Sequence, residues 1–243
     1  KAIRRQRQMC IRDRAKKLLK HSTEMQNEFL ELGNRIPILK IGIPPMFSTI
    51  FFPEVINAFE LHHPDIQIEL DEFGSVRACN LVQEEKLGLA IVNMEQFNIN
   101  KFESRVLAKE QLVYVVSKNH PMSGKKYMTI EDFKDEKLVM FNVDSVQNEL
   151  LKNRFDGLNI SPHIIMRSSQ LYTTLKFVDK GNCGCFLLSD MLPHFREYVG
   201  IPLKPSIDVK IGIIWKKENF LSHSAQLFID FAMQYCSEKI ITP

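Results

Sequence analysis

Leu39–Phe59 reads LKIGIPPMFSTIFFPEVINAF. It opens with Leu39, Ile41 and Ile43 at every second position, the period of a half-buried strand. Pro44 and Pro45 end that strand, because proline has no N–H to give a ladder. Ser48 and Thr49 follow, and both are good N-cap residues for a new helix. That helix carries Ile50, Phe51, Val55, Ile56 and Phe59, whose three- and four-residue spacings form one apolar stripe. The stretch is therefore strand, tight loop, helix start. A helix start aims unpaired backbone N–H groups into the loop, which favours an anion or polar ligand there. Open α/β sheets bind ligands at that edge. An ordinary βα unit of a core has the same pattern, so this stretch alone leaves both readings open.

Moving toward the C-terminus, Ile66, Ile68 and Leu70 alternate as a second strand, ended by Gly74 and Ser75. Val76–Lys86 reads as a helix, and LGLAIV (Leu87–Val92) as a short apolar strand of the kind buried at the centre of a parallel sheet. The order β, α, β, α, β predicts a doubly wound α/β lobe. A second lobe is expected to begin near Lys109. QLVYVVS (111–117) is a strand, and Thr129 stands three residues before Asp132 as in a capping box. LVMFNVDSVQNELLKNRF (138–155) repeats the opening logic, with Ser145 before its helix. IIMRSSQLYTTLKFVDKG (164–181) repeats it again, with Ser168 and Ser169 before the helix and Gly181 at its end. CFLLSDM (185–191) is a buried strand, VKIGIIWKK (209–217) resembles 111–117, and both of the latter could cross between lobes. A C-terminal amphipathic helix closes the chain. The expected division is lobe I from 36–108 and 209–243, and lobe II from 109–208. Three strand-to-helix turns carrying hydroxyl residues would then face a cleft between the lobes.

Toward the N-terminus, Ile11, Ala15, Leu18, Ser22, Met25, Phe29 and Leu32 fall at alternating four- and three-residue steps, a heptad seam. Gly33 can cap this helix and Pro37 prevents its continuation. The seam can pack on a second copy or on the body of the protein. The first twenty residues hold nine Lys/Arg and one Asp, leaving −5 for the rest of the +3 total. Residues 1–14 are thus a basic tail, either native, in which case nucleic acid is a possible partner, or foreign to the protein. No apolar run reaches the ~18 residues that span a membrane, and no signal peptide is visible, so a cytoplasmic protein is expected. The five cysteines are scattered without a CxxC pair, which suggests reduced thiols. Cys183 and Cys185 flank Gly184, and alternate strand positions point their thiols to opposite faces.

The order and spacing of these pieces resembles one family: the linker helix plus effector-binding domain of a LysR-type transcriptional regulator. The residues that carry the resemblance are LKIGIPPMFSTIFFPEVINAFELHHPDIQIEL, LGLAIV, LAKEQLVYVVSKNHP, MTIEDFKDEKLVMF, SSQLYTTLKFVDKGNCGCFLL and LSHSAQLFIDF. It covers about Ala15 to Cys236, with residues 15–35 as the linker or dimerisation helix. The resemblance implies a type 2 periplasmic-binding-protein fold, with two α/β lobes, two crossing hinge strands and a small-molecule effector in the cleft. It also implies a homodimer or homotetramer, and DNA binding through an N-terminal winged helix-turn-helix that the residues before the linker helix are too few to supply.

Carried over residue by residue, the family's first ligand loop falls on Met46 and Phe47, with Ser48 one step on. Ser75 matches a family ligand-contact position, and Ser145, Ser169 and Gln170 stand where the second lobe contributes. Each serine could instead cap its own helix. Neutral donors and helix starts would suit a small carboxylate or an amino-acid-like metabolite, and no arginine is clearly placed in the cleft. The chain departs from the family pattern at Gly88, where Asp is common, and at Leu188–Ser189, where Pro is usual. No GxSxG elbow, Walker loop, Rossmann fingerprint or histidine metal spacing occurs, so no enzyme activity, cofactor or metal is expected. The alternative is a transporter's solute-binding protein, which shares the fold but has no use for a heptad helix.

Overall fold

A computed structural model describes residues 8–12, 14–15, 18–19, 22, 25, 37–50, 52–95, 101–143, 145–217 and 221–241. Strand β1 (Ile38–Ile43) lies between β2 (Gln67–Glu72) and β3 (Leu89–Asn93), all three parallel. Leu39, Ile41 and Ile43 are buried, as the opening stretch predicts, with Lys40 exposed between the first two and Gly42 buried between the last two. All five residues of β3 are buried, the mark of a strand covered on both faces.

The loop after β1 is shorter than expected. Helix α1 (Pro45–Ile50) starts at Pro45 itself, and α2 (Phe52–His62) follows it. Proline suits a first helical position, because its fixed φ is helical and the N–H it lacks would have no partner there. Ser48 and Thr49 are therefore inside a helix and cap nothing. The Thr49 hydroxyl donates to the Pro45 carbonyl oxygen at 2.8 Å, a back-bond one turn away. Phe52, Val55 and Phe59 form the buried stripe of α2. Residue 51 and the side chain of Ile50, which the stripe also included, lie outside the described residues.

Helix α3 (Ser75–Gln83) returns the chain to β3. Strand β4 (Phe102–Ser117) is sixteen residues long and changes partners midway. Phe102–Gln111 pairs antiparallel with β9 (Asp208–Lys216), and Leu112–Ser117 with β7 (Cys185–Leu188) and β8 (Tyr198–Pro202). Strand β9 also pairs with β3, so the sheet order is β2-β1-β3-β9-β4-β7, curled through the shared strand β4. Strands β5 (Lys137–Met140) and β6 (His163–Arg167) form a parallel pair, bridged to the β7 side at Leu138–Gly184. Helices α4 (Val146–Gly157) and α5 (Leu171–Lys180) leave these strands, and α6 (His223–Ile241) packs on α2 and β4. The chain is thus two-lobed, with β4 and β9 as crossing strands.

Each lobe has an aromatic core. In the first, Phe59 meets Phe228 edge-on at 5.3 Å. In the second, Tyr114 meets Phe133 edge-on at 4.8 Å, and Phe186 and Phe155 close the cluster. Gly184 runs flat against the Tyr114 ring: a Cβ there would lie 2.2 Å from it. The Tyr114 hydroxyl donates to Glu136 Oε2 at 2.8 Å, and buried His120 Nε2 stands 3.5 Å from the same oxygen. Gly181 ends α5 as expected, but not in a left-handed conformation. The left-handed residue is Asn182, at φ 43°. A Cβ at Gly181 would sit 2.6 Å from the Phe177 carbonyl oxygen. The capping box is formed, with Asp132 accepting from the Thr129 N–H at 2.8 Å.

On the expected linker helix, residues 8–12, 14–15, 18–19, 22 and 25 are helical, and Ile11, Leu18 and Met25 are exposed. The remaining seam positions, Phe29 and Leu32, and the cap at Gly33 lie outside the described residues. No described helix is long and apolar enough to cross a membrane.

Candidate functional site

A cleft of about 150 Å³, open to solvent at its mouth, lies where the ends of β1 and β2 face the ends of β5 and β6. One wall is Pro44–Met46 and Glu72–Ser75 with Arg77. The other is Phe141, Asn142, Ser145, Gln147, Ser168, Ser169, Leu171 and Thr174, with Leu187 between. Three helix starts meet here. Gly74, Ser145 and Gln170 are the N-cap positions of α3, α4 and α5, and none makes a side-chain cap bond. The orphan N–H groups of these first turns therefore have no side-chain acceptor from their caps. Neither α3 nor α5 has an acid in its first turn. No acid within either first turn offsets the positive end of the helix dipole, which is worth about 0.3–1 kcal/mol to an anion at each.

Of the residues predicted from sequence, Met46, Ser75, Ser145 and Ser169 share this lining. Ser75 is buried, and its Oγ accepts from the Asn93 N–H at 3.1 Å, which ties the start of α3 to the end of β3. A hydroxyl can accept and donate at once, and the Ser75 proton has no acceptor among the described residues. Ser145 donates to Gln147 Oε1 at 2.7 Å instead of capping α4. Ser169 is exposed at the mouth, while buried Ser168 accepts from the Gln170 N–H at 3.0 Å.

Three predicted residues stand elsewhere. Phe47 is turned into the core, because α1 already starts two residues before it and carries its side chain inward. Ser48 is one turn into α1, where its single proton is shared between the Pro45 carbonyl oxygen at 2.8 Å and the Glu72 carboxylate. Gln170 holds the N-cap position of α5 and accepts from the Thr173 hydroxyl at 2.9 Å, outside the lining.

The lining adds residues that sequence reasoning missed, Glu72, Phe73, Arg77, Asn142, Gln147 and Thr174, and includes Ser168, which the sequence placed in a turn facing the cleft but not among the ligand contacts. Arg77 corrects the expectation of a cleft without arginine. Its guanidinium lies 5.0 Å from the centre of the Phe73 ring, a cation–π contact that holds it at the cleft wall. It sits in the first turn of α3, a position that periodicity assigns to no particular face. Across the cleft, Arg167 donates to Asn148 Oδ1 at 2.6 Å and fixes the first turn of α4 to the end of β6.

Comparison with known proteins bears on what this cleft is. The family model for the LysR substrate binding domain matches residues 35–237. The chain belongs to the LysR substrate-binding-domain family. One relative, an uncharacterised HTH-type transcriptional regulator, YwbI of Bacillus subtilis, is 27% identical over 201 residues, 81% of this chain and 66% of its own length. The chain thus spans about two thirds of that relative. Among solved LysR domains, the effector-binding domain of QuiR in complex with shikimate is similar at a TM-score of 0.72 and 22% identity, covering 84% of this chain and 99% of that one. The Synechocystis CcmR regulatory domain in complex with 2-PG is similar at a TM-score of 0.75 and 18% identity, covering 82% and 97%. At these identities the LysR domains share a fold with this chain.

Outside the cleft, Cys183 and Cys185 are both buried, and burial pushes both thiols up. The Cys183 Sγ lies 3.3 Å from the Phe177 carbonyl oxygen. Among the described residues no group of three His, Cys, Asp or Glu side chains could hold a metal.

Proposed function

We propose that this chain is the sensor module of a LysR-type transcriptional regulator. A small metabolite bearing a carboxylate enters the cleft, and the two lobes close on it. The observation that carries this reading is the meeting of three helix starts from two lobes on one cleft, without side-chain caps. The lobes divide along β4, so that 36–108 and 209–243 move against 109–208. The solved LysR domains in complex with shikimate and with 2-PG support a small-molecule ligand.

In the full-length protein, the exposed helical residues Ile11, Leu18 and Met25 pair with a second copy, and homodimers join into a tetramer. A separate DNA-binding domain reads the operator in the cytoplasm. Closure changes the angle between paired copies and hence the spacing of the DNA-binding heads. A ligand shifts this equilibrium only by its preference for one state. Converting a 1:99 population to 99:1 takes about 5.5 kcal/mol of that preference.

A thermal-shift screen of metabolites tests the reading on the protein and on Ser169→Trp, which fills the cleft mouth from an exposed position. The expected result is stabilisation by one or more carboxylates that Ser169→Trp abolishes. Stabilisation only by uncharged apolar compounds, or by ligands indifferent to Ser169→Trp, overturns it.

A further inference from the structure

The cleft wall that carries the start of α3 holds two opposite charges that form no ion pair among the described residues. Glu72 ends β2, and Arg77 lies five residues on, in the first turn of α3. Both line the cleft. Among the described residues, Glu72 pairs with no basic side chain and is held by the Ser48 hydroxyl. Arg77 pairs with no acid among the described residues and rests on the Phe73 ring. Between them the turn Phe73–Gly74 brings the chain round to Ser75, whose hydroxyl proton is unused.

A simple carboxylate ligand satisfies Arg77 and leaves Glu72 facing a second negative charge. A ligand with a cationic nitrogen beside its carboxylate satisfies both. Resting on the sensor reading above, we propose that the effector carries an α-amino-acid head group. Its ammonium donates to the Glu72 carboxylate, and its carboxylate lies toward Arg77 and Ser75. Its side chain then meets the far wall of Asn142, Ser145, Ser169, Thr174 and Leu171. Ser48 becomes a positioning residue, because it orients the Glu72 carboxylate without lining the cleft.

The test uses matched ligands on the 243-residue chain: the twenty L-amino acids, the amines left when each loses its carboxylate, and the 2-hydroxy acids in which OH replaces the ammonium. At a hundredfold its Kd, a bound ligand raises the Tm of a chain this size by roughly 5–10 °C. The expected result is that at least one amino acid does so, and its amine and hydroxy acid do not. Glu72→Gln should weaken that amino acid about 10- to 100-fold, the value of a charge-assisted hydrogen bond, while Ser169→Trp abolishes its effect. If hydroxy acids stabilise as well as amino acids, or Glu72→Gln binds as the parent does, the head-group assignment is wrong and the cleft reading stands. If no amino acid stabilises the unmodified protein, the assignment also falls. If amino acids stabilise Ser169→Trp equally, they bind elsewhere, and both readings fall. The matched-ligand comparison needs no variant to fold.

Discussion

Glu110 sits one residue before β4 turns from β9 to β7, and its carboxylate accepts from the Ser189 hydroxyl at 2.8 Å and the Asp190 N–H at 3.3 Å. Burial, with the nearby Asp190, pushes it up to about 7, against the opposing pull of the Ser189 hydroxyl. A carboxylate raised in the folded state binds its proton there when the unfolded chain has already lost it. Stability then falls as pH rises from the ordinary carboxylate range to about 7, and is level above it. Melting curves from pH 4.5 to 8 should show this decline, and Glu110→Gln should flatten it; an unchanged slope refutes the assignment. The thiols give a second residue-scale prediction. Burial pushes Cys79 up to about 12 and raises Cys183 and Cys185, whereas Cys10 is exposed. A thiol reagent at pH 8 should therefore show one fast-reacting cysteine, lost in Cys10→Ser, because the thiolate is the reactive form.

At the scale of elements, the capping box of Ile130–Phe133 is a direct case of sequence becoming structure. Burial alone would raise Asp132, but Lys125 and the Thr129 N–H together hold it below its ordinary value. Asp132→Ala should cost about 1 kcal/mol, the usual value of a cap, read as a Tm lower by roughly 2–4 °C. Gly184→Ala tests the second lobe's core, since its Cβ would meet the Tyr114 ring. Overpacking of this kind costs about 1–3 kcal/mol, and a chemical-denaturation midpoint checks it. Strands, helices and their order were legible because period two is strong in β1, an unbroken apolar run marks β3, and period 3.6 is strong in α2. What was not legible followed from local physics. Pro45 reads equally as a strand stop and as a helix start, and the second reading moved Phe47 into the core and Ser48 onto Glu72. Arg77 was missed for a similar reason: only the packing of α3 on β3 decides which of its first-turn residues faces the cleft.

For the whole molecule, one long strand shared by both lobes makes relative motion a bend in β4 and β9, not a sliding of separate sheets. Its bulge between Val106 and Ala108 lies within the half that pairs with β9, where local twist is already high. Three helix starts converge on one cleft in this arrangement, and the proposed sensing role rests on that convergence. The most direct measurement is an amide chemical-shift titration of the protein with a stabilising carboxylate or amino acid. The account predicts the largest shifts at 74–77, 142–147 and 168–174, both walls responding at one Kd. Shifts confined to one wall, or to the outer faces of α2 and α6, would contradict it.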